Sequence, residues 1–404
     1  RYFWTHQDKE SVKCFTKNIR SLKVFSIIGF VSKEYRLVAS KNITKYTPGF
    51  NINDVQKKFN IKKIIKLSSN ENPFVSDKVT KYINNNKHSL NLYPESKPSK
   101  LQSIIAKNIG FRMNEKNIIL GNGSNEILEF IARLTLNSST EAIIPKHSFL
   151  VYEIISKLQD AKIIVSKPDS NKNSANYLGV DLDSVKSKIS SKTRLIFLAN
   201  PANPTGTYIK LSKIDSFLSS LPKKITVIID EAYYEYLDPK KDKSAISLIK
   251  KYKNLFVTRS FSKIYGLASL RIGYGISSAK NIEKLKLYKQ PFNTNLFAQK
   301  AAEIALNDHN FVNESKKNND IASASLIQLF NKLSIRYLGT YCNFITFEVG
   351  QNSKALFEYL LRKGIVVRPL VNYKLPKYLR VSLGTMTEMN TFKKQLKLFY
   401  NAKV

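Results

Sequence analysis

The sequence predicts an α/β protein with a mainly parallel, helix-covered mixed sheet in a large α/β/α part and a smaller α/β part toward the C-terminus. Three observations carry that expectation. From Ile61 onward, short β-branched runs alternate with amphipathic stretches, the rhythm of strand followed by helix. Most of the runs lack strict polar alternation, which suits strands buried on both faces. One of them passes through a glycine-rich turn directly into a helix, as the strand-to-helix units of such sheets do.

Taken in order, the expected strands are Asn117 to Leu120, Glu141 to Ile144, Lys162 to Val165, Arg194 to Ala199, Thr226 to Asp230, Leu255 to Thr258 and Arg271 to Ile276. Between the first two, Asn125 to Leu134 places Ile127, Phe130, Ile131 and Leu134 at i, i+3, i+4 and i+7, one apolar helical face. The stretch Pro168 to Gly179 is polar and rich in Asn and Ser, and reads as a loop. Beyond Pro291 the composition stays globular, with a helix Leu296 to Leu306, a strand Phe344 to Val349, a helix Ser353 to Lys363, and strands near Ile365 and Leu379. No internal repeat is evident.

At 404 residues and 43% apolar content, the chain can bury a sizeable core, which excludes a disordered segment or a small disulfide scaffold. Its apolar stretches, such as Val24 to Val31 and Ile225 to Ile229, fall short of the roughly 20 residues of a spanning helix. A soluble protein with no membrane partner is expected. The formal charge of +36, from 66 Lys and Arg against 30 Asp and Glu, is spread over the whole length. That is the signature of a basic surface more than of the concentrated stripe of a nucleic-acid site. Cys14 and Cys342 stand far apart, too few for a metal cluster or disulfide framework, so no metal and a cytoplasmic location are expected. Residues 1–20 carry Asp8 and Glu10 and no apolar stretch with a small-residue cleavage site, unlike a secretory signal.

Three features lie at strand ends, where open parallel sheets bind ligands. Ile118 to Glu126 reads I-I-L-G-N-G-S-N-E; the free N–H groups of Ser124, Asn125 and Glu126 at the helix start suit a phosphate, and a plain turn with an N-cap is the alternative. Thr226 to Tyr233 reads T-V-I-I-D-E-A-Y. Asp230 there is either an ordinary cap or a carboxylate placed to keep a pyridine nitrogen protonated, with Tyr233 three residues on. Thr258 to Gly275 reads T-R-S-F-S-K-I-Y-G-L-A-S-L-R-I-G-Y-G. Lys263 with Arg271 nearby can have the lowered pKa that Schiff-base formation needs, and Ser260, Ser262 and Arg271 can share a phosphate.

From about Lys45 to the C-terminus the chain resembles the fold-type I pyridoxal-phosphate aminotransferases, and more closely the histidinol-phosphate aminotransferase family. The residues that carry the resemblance are S-S-N-E-N-P-F at 68–74, Y-P-E at 93–95, G-N-G-S-N-E, P-K-H-S-F-L-V-Y at 145–152, N-P-A-N-P-T-G at 200–206, D-E-A-Y, the S-F-S-K…R block, and L-R-V-S-L-G-T at 379–385. Eight motifs in order are specific where any one is weak.

The resemblance implies pyridoxal 5'-phosphate as cofactor and a role for each matching residue. Lys263 would hold the cofactor as a Schiff base and then shuttle the proton at the substrate Cα. Asp230 would pair with the ring nitrogen, Asn203 and Tyr233 would hydrogen-bond the ring hydroxylate, and Phe149 would stack on the ring face, a plain core phenylalanine being the alternative. The phosphate would lie among Ser124, Asn125, Glu126, Ser260, Ser262 and Arg271. Tyr93 would reach the cofactor of a neighbouring subunit, implying a homodimer. Arg380 would take the carboxylate of glutamate, with Tyr46, Asn72 and Arg368 as further substrate contacts; a surface ion pair is the alternative for Arg368.

The domains implied are an N-terminal extension over 1–42, an arm over 43–65, a large cofactor-binding domain over 66–290 and a small domain over 291–404. The stretch from Tyr2 to Tyr35 is faintly similar to the end of the regulatory ACT domain of prephenate dehydratases. The expected reaction exchanges an amino group between histidinol phosphate with imidazole-acetol phosphate and glutamate with 2-oxoglutarate, in histidine biosynthesis. An aromatic amino-acid aminotransferase or a phosphothreonine decarboxylase-like enzyme shares the cofactor motifs. A basic nucleic-acid-binding protein is the rival from another class, and it gives no reason for Lys263, Asp230, Asn203 and Arg271 to occur together.

Overall fold

The computed structural model describes residues 52–401; the expected extension over 1–42 and the expected contact Tyr46 lie outside them. Its strands, in chain order, are β1 (Ile65–Lys66), β2 (Ile118–Gly121), β3 (Glu141–Pro145), β4 (Lys162–Ser166), β5 (Thr193–Ala199), β6 (Thr226–Asp230), β7 (Leu255–Ser260), β8 (Gly273–Ile276), β9 (Phe344–Glu348), β10 (Ile365–Val366), β11 (Arg368–Pro369) and β12 (Tyr378–Ser382). Seven of them form one mixed sheet in the order β2-β8-β7-β6-β5-β3-β4. Only β8 runs against its neighbours; the pairs from β7 across to β4 are all parallel. The α/β class and the mainly parallel sheet expected from the sequence are present.

Alternate residues of these strands enter two separate cores. Ile143, Ile196, Leu198, Val227, Ile229 and Val257 face one core, while Ala142, Ile144, Leu195, Phe197, Ile228 and Phe256 face the other. Both faces are therefore apolar, which is why the strands show no polar alternation. Helix Ser124–Thr135 covers the second face with Ile127, Phe130 and Ile131, all buried, and with Leu134 partly buried. Helices Ser99–Ile109 and Leu211–Ser219 contribute Leu101, Ile105, Ile214 and Phe217 to the first.

A second sheet, β11-β12-β9, is antiparallel. Its core holds Phe330, Ile345, Phe347, Leu360, Val381 and Phe392. A two-stranded parallel pair, β1 with β10, ties Ile65 to Ile365, so the chain before the large sheet packs with the C-terminal part. The helix that follows the boundary expected at 290 packs with the part before it. Helix Leu296–Leu306 buries Ala298, Ala301, Ala302 and Ala305 in the first core of the large sheet. Among the described residues no helix is long and apolar enough to cross a membrane.

The loop after β5 is docked onto the strand region of the second sheet. Tyr341 N–H donates to the Gly206 carbonyl at 3.1 Å, and Thr346 Oγ1 donates to the Pro204 carbonyl at 2.5 Å. Gly206 has φ +70°, and a Cβ on it would strike the Gly339 carbonyl. Left-handed backbone and close backbone approach both require glycine here. Gly206→Ala is expected to destabilise the protein by about 2–4 kcal/mol. Thermal or denaturant unfolding measures it, and a change of a few tenths would show that the crossing is looser than described.

Candidate active site

The register of the parallel strands assembles the site. Ala199, Asp230 and Thr258 lie in one row across β5, β6 and β7, so the three chains leave the sheet at the same edge. The segments that follow carry Asn203, Tyr233 and Lys263. Farther along the edge, Gly121, Gly273 and Ser260 form a second row across β2, β8 and β7. A Cβ on Gly273 would strike the Ser124 nitrogen; its absence lets the start of helix Ser124–Thr135 lie against Ser260. Together these segments line a cavity of about 270 Å³.

Asp230 is buried at the floor of this cavity. Its Oδ2 accepts from Tyr152 Oη at 2.7 Å and its Oδ1 from Thr258 Oγ1 at 3.0 Å, with a further backbone hydrogen bond at Ala232. Burial raises its pKa, while these hydrogen bonds oppose the rise. None of its partners is a cation, and no salt bridge reaches it among the described residues. The carboxylate is more than a cap: it lines the cavity and lacks a counter-charge.

Lys263 points its amine toward the Ser69 carbonyl, 3.3 Å away, and lies 5.6 Å from the centroid of the Tyr233 ring. Burial lowers its pKa to about 8, and the positive charges of Arg380 and Arg271 push in the same direction. The lowering expected from Arg271 is present, with desolvation the larger cause. Arg380 is buried, donating from Nη1 to Asn203 Oδ1 at 2.6 Å and from Nη2 to the Ser68 carbonyl at 2.9 Å. Arginine only donates, so it turns the Asn203 amide with its Nδ2 away from the guanidinium. Tyr233 Oη accepts from Asn70 Nδ2 at 2.9 Å, leaving its own hydrogen to donate. Strand pairing sets Arg368 directly opposite Arg380. Arg368 is also buried and lines the cavity, so it is not the surface residue of the alternative reading.

At the other end, helix Ser124–Thr135 begins after Gly123 with no side-chain cap, so its first N–H groups are not satisfied by a plain N-cap. Ser124 and Asn125 line the cavity with Ser260, Ser262 and Arg271. Arg271 Nη1 donates to Ser262 Oγ at 3.3 Å and to the Ala268 carbonyl at 2.8 Å. A Cβ on Gly123 would strike the Arg271 guanidinium, so this glycine is what lets the cation approach the helix start. Lys263, Arg271, Arg368 and Arg380 outnumber the two carboxylates in the lining, Asp230 and Glu71. The cavity is built for anionic ligands. Phe149 lines it as expected, with its ring edge-on to Tyr152 at 5.7 Å.

Three expected residues stand apart. Asn72 bridges structure instead of lining the cavity: its Nδ2 donates to the Ile264 carbonyl at 2.8 Å and to Ser315 Oγ at 2.9 Å. The Glu126 side chain is outside the lining, its carboxylate accepting from Asn122 N–H at 2.7 Å and Asn293 Nδ2 at 2.6 Å; the group expected to face a phosphate is its backbone N–H, in the first turn of helix Ser124–Thr135. Tyr93 is 82% exposed and stacks on Phe292 at 4.8 Å, outside the cavity. Conversely, sequence reasoning passed over Tyr152, Thr258, Asn70, Glu71 and Tyr373. Four of these lie inside quoted stretches, Tyr152 at the end of P-K-H-S-F-L-V-Y, Asn70 and Glu71 within S-S-N-E-N-P-F, and Thr258 at the start of T-R-S-F-S-K. The motifs held the signal; the pairing of Tyr152 with Asp230 did not follow from spacing.

Behind the cavity, Arg259 donates to Glu231 Oε2 from Nε at 3.0 Å and Nη2 at 2.9 Å, both side chains being buried. Glu231 also accepts from Ser244 Oγ and the Ala245 N–H, each at 2.7 Å. This satisfied pair fixes the residue after Asp230 to the residue before Ser260.

Residues 62–394 match the family model described as aminotransferase class I and II. The chain is 37% identical over 361 residues to histidinol-phosphate aminotransferase 1 of Idiomarina loihiensis, covering 88% of this chain and 95% of that protein. It is 38% identical over 347 residues to histidinol-phosphate aminotransferase 1 of Mannheimia succiniciproducens, covering 86% and 92%. The crystal structure of the histidinol-phosphate aminotransferase of Clostridium acetobutylicum superposes with TM-score 0.75 at 28% identity, covering 84% of this chain and 100% of that one.

Because burial lowers the folded-state value, neutral Lys263 favours the folded chain above its ordinary value of 10.5, and that contribution is lost as pH falls through about 8. Labelling of the cofactor-free protein with an amine-selective reagent, followed by peptide mapping, is expected to show Lys263 gaining reactivity through about pH 8. A midpoint shared with the surface lysines would contradict the desolvated site.

Proposed function

The chain belongs to the class I and II aminotransferases and, within them, to the histidinol-phosphate aminotransferases, and on that premise we propose that it transfers an amino group from histidinol phosphate to 2-oxoglutarate. The products are imidazole-acetol phosphate and glutamate, the setting is histidine biosynthesis, and the cofactor is pyridoxal 5'-phosphate. The observation that carries the reading is one cavity holding both a lysine amine of lowered pKa and a buried carboxylate without a counter-ion. A protonated ring nitrogen fits the second as well as a carbonyl fits the first.

When bound, the cofactor supplies an aldehyde that condenses with amines and a ring that takes up the electron pair left by proton loss at Cα. The rest falls to the chain. Lys263 would be the anchor and, as a free amine, the base that moves the Cα proton. Asp230 holds the ring-nitrogen proton. Asn203 Nδ2 and Tyr233 Oη are the donors for the ring hydroxyl, and Phe149 is the ring-face contact. The cofactor phosphate is assigned to the N–H groups of Ser124 and Asn125, the hydroxyls of Ser260 and Ser262, and Arg271. Arg380, whose buried Nε has no partner, and Arg368 are assigned to the anion of each substrate in turn: a carboxylate of glutamate, the phosphate of histidinol phosphate.

We assign residues 43–65 to an arm, 66–290 to the large cofactor-binding domain and 291–404 to the small domain, with helix Leu296–Leu306 carrying the small domain's start into the large core. The working form is taken to be a homodimer. Exposed Tyr93 and Phe292, with Leu287 84% and Leu90 76% exposed nearby in sequence, support an apolar surface covered by a second copy. Small molecules are its partners in this reading, not nucleic acid or membrane, since the cations that matter converge in a cavity. The cytoplasm is the compartment proposed, consistent with the free, buried Cys342.

The test of the activity is a half-reaction. Protein loaded with pyridoxal 5'-phosphate and mixed separately with histidinol phosphate, glutamate and phenylalanine is expected to convert rapidly to the amine form with the first two and slowly with the third. Fast conversion by phenylalanine alone would move the assignment to the aromatic enzymes, and Lys263→Ala is expected to abolish conversion by all three. The dimer reading has its own check. Tyr93→Ala chains, weak alone, and Lys263→Ala chains, inactive alone, are expected when co-assembled in equal amounts to regain about a quarter of wild-type sites, because about half of the dimers are mixed and each mixed dimer has one complete site. No recovery would place Tyr93 outside the partner's site.

A further inference from the structure

We propose that Tyr152 is a positioning residue that aims the Asp230 carboxylate at the ring nitrogen of the bound cofactor, by donating a hydrogen bond to the carboxylate oxygen that Thr258 does not hold. The inference rests on the pyridoxal-phosphate reading and deepens it.

Two donors, one on each oxygen, stop rotation of the carboxyl group. Tyr152 Oη lies 2.7 Å from Oδ2, and Thr258 Oγ1 lies 3.0 Å from Oδ1. The two differ in kind. A threonine hydroxyl hydrogen turns about its C–O bond among staggered positions, whereas conjugation holds a tyrosine hydroxyl hydrogen near the plane of its ring. That ring is fully buried, stacked on Phe197 at 4.8 Å and 13°, and edge-on to Phe149 at 5.7 Å and 88°. Tyr152 thus touches both a contact for the ring nitrogen and a contact for the ring face, from the first turn of helix Val151–Lys157.

Neutrality is the second part of the argument. A lysine or arginine here would compensate the Asp230 charge and compete with the ring-nitrogen proton. A phenol orients the carboxylate and leaves its full charge for the ligand. Burial and the neighbouring carboxylate raise the pKa of Tyr152 well above its ordinary value, so it stays a donor at every working pH.

The test compares two ligands on intact full-length protein, wild type and Tyr152→Phe, by absorbance titration: pyridoxal 5'-phosphate and its 1-deaza analogue, in which carbon replaces the ring nitrogen. Tyr152→Phe removes one oxygen and keeps the stacked ring. The expected result is about a tenfold loss of affinity for pyridoxal phosphate, as for a hydrogen bond to a charged group, with affinity for the analogue unchanged. Thr258→Val, acting on the other oxygen, is expected to show the same selective loss. Equal losses for both ligands would make Tyr152 a packing residue and overturn the proposal, as would no loss for either. If wild-type protein failed to bind pyridoxal phosphate at all, the cofactor reading would fall first, so the two failures are distinguishable.

Discussion

The carboxylate of Asp230, sunk at the end of a strand with strands on both sides, is the constraint on which the rest of the site depends. Taking such a charge out of water is costly unless it is hydrogen-bonded and ultimately paired. The parallel register meets the first need by setting Thr258 beside it, and helix Val151–Lys157 supplies Tyr152 from above the sheet. The second need is left to a ligand. Every other group in the cavity is arranged around where that ligand's positive end must sit.

The opposite imbalance holds on the remaining walls. Arg271, Lys263, Arg368 and Arg380 surround the cavity, and the adjacent strands β11 and β12 bring two of these cations into register. Like charges set side by side and desolvated oppose folding, so their presence is understandable only where anions are received. A ligand that is cationic at its ring and anionic at its phosphate, with a substrate anionic at its far end, matches this pattern of sign from floor to walls. Behind the cavity, Arg259 pairs with Glu231, whose hydrogen bonds are filled, and lies 3.6 Å from partly buried Glu235, a cluster that adds rigidity beside the site.

Much of this was legible before any coordinates. Strand Thr226–Asp230 and helix Leu296–Leu306 have the expected bounds, since apolar runs of that length have few other uses. Helix His309–Lys332 was not foreseen, and the reason is physical: Ser315 and Asn319 occupy buried positions in its first half, so the apolar stripe is confined to Ala322, Leu326, Leu329 and Phe330 in its second half. Asn72 shows the limit of motif transfer, because a polar side chain in a matching segment can be spent on a backbone carbonyl and a serine instead of a ligand. Tyr152 and Thr258 show the limit of spacing. Their partner Asp230 lies far along the chain, and only strand register and helix placement bring them to it.

The hydrogen bond between Arg380 and Asn203 joins a strand of the C-terminal sheet to the loop after β5. Thought of genetically, these two distant positions behave as one locus. Loss of either side chain strands a polar atom of the other in a buried site, so the first change carries most of the penalty and the second adds less than it would alone. An evolutionary path that remodels the anion-binding end of this cavity therefore has to cross a valley, or replace both residues together.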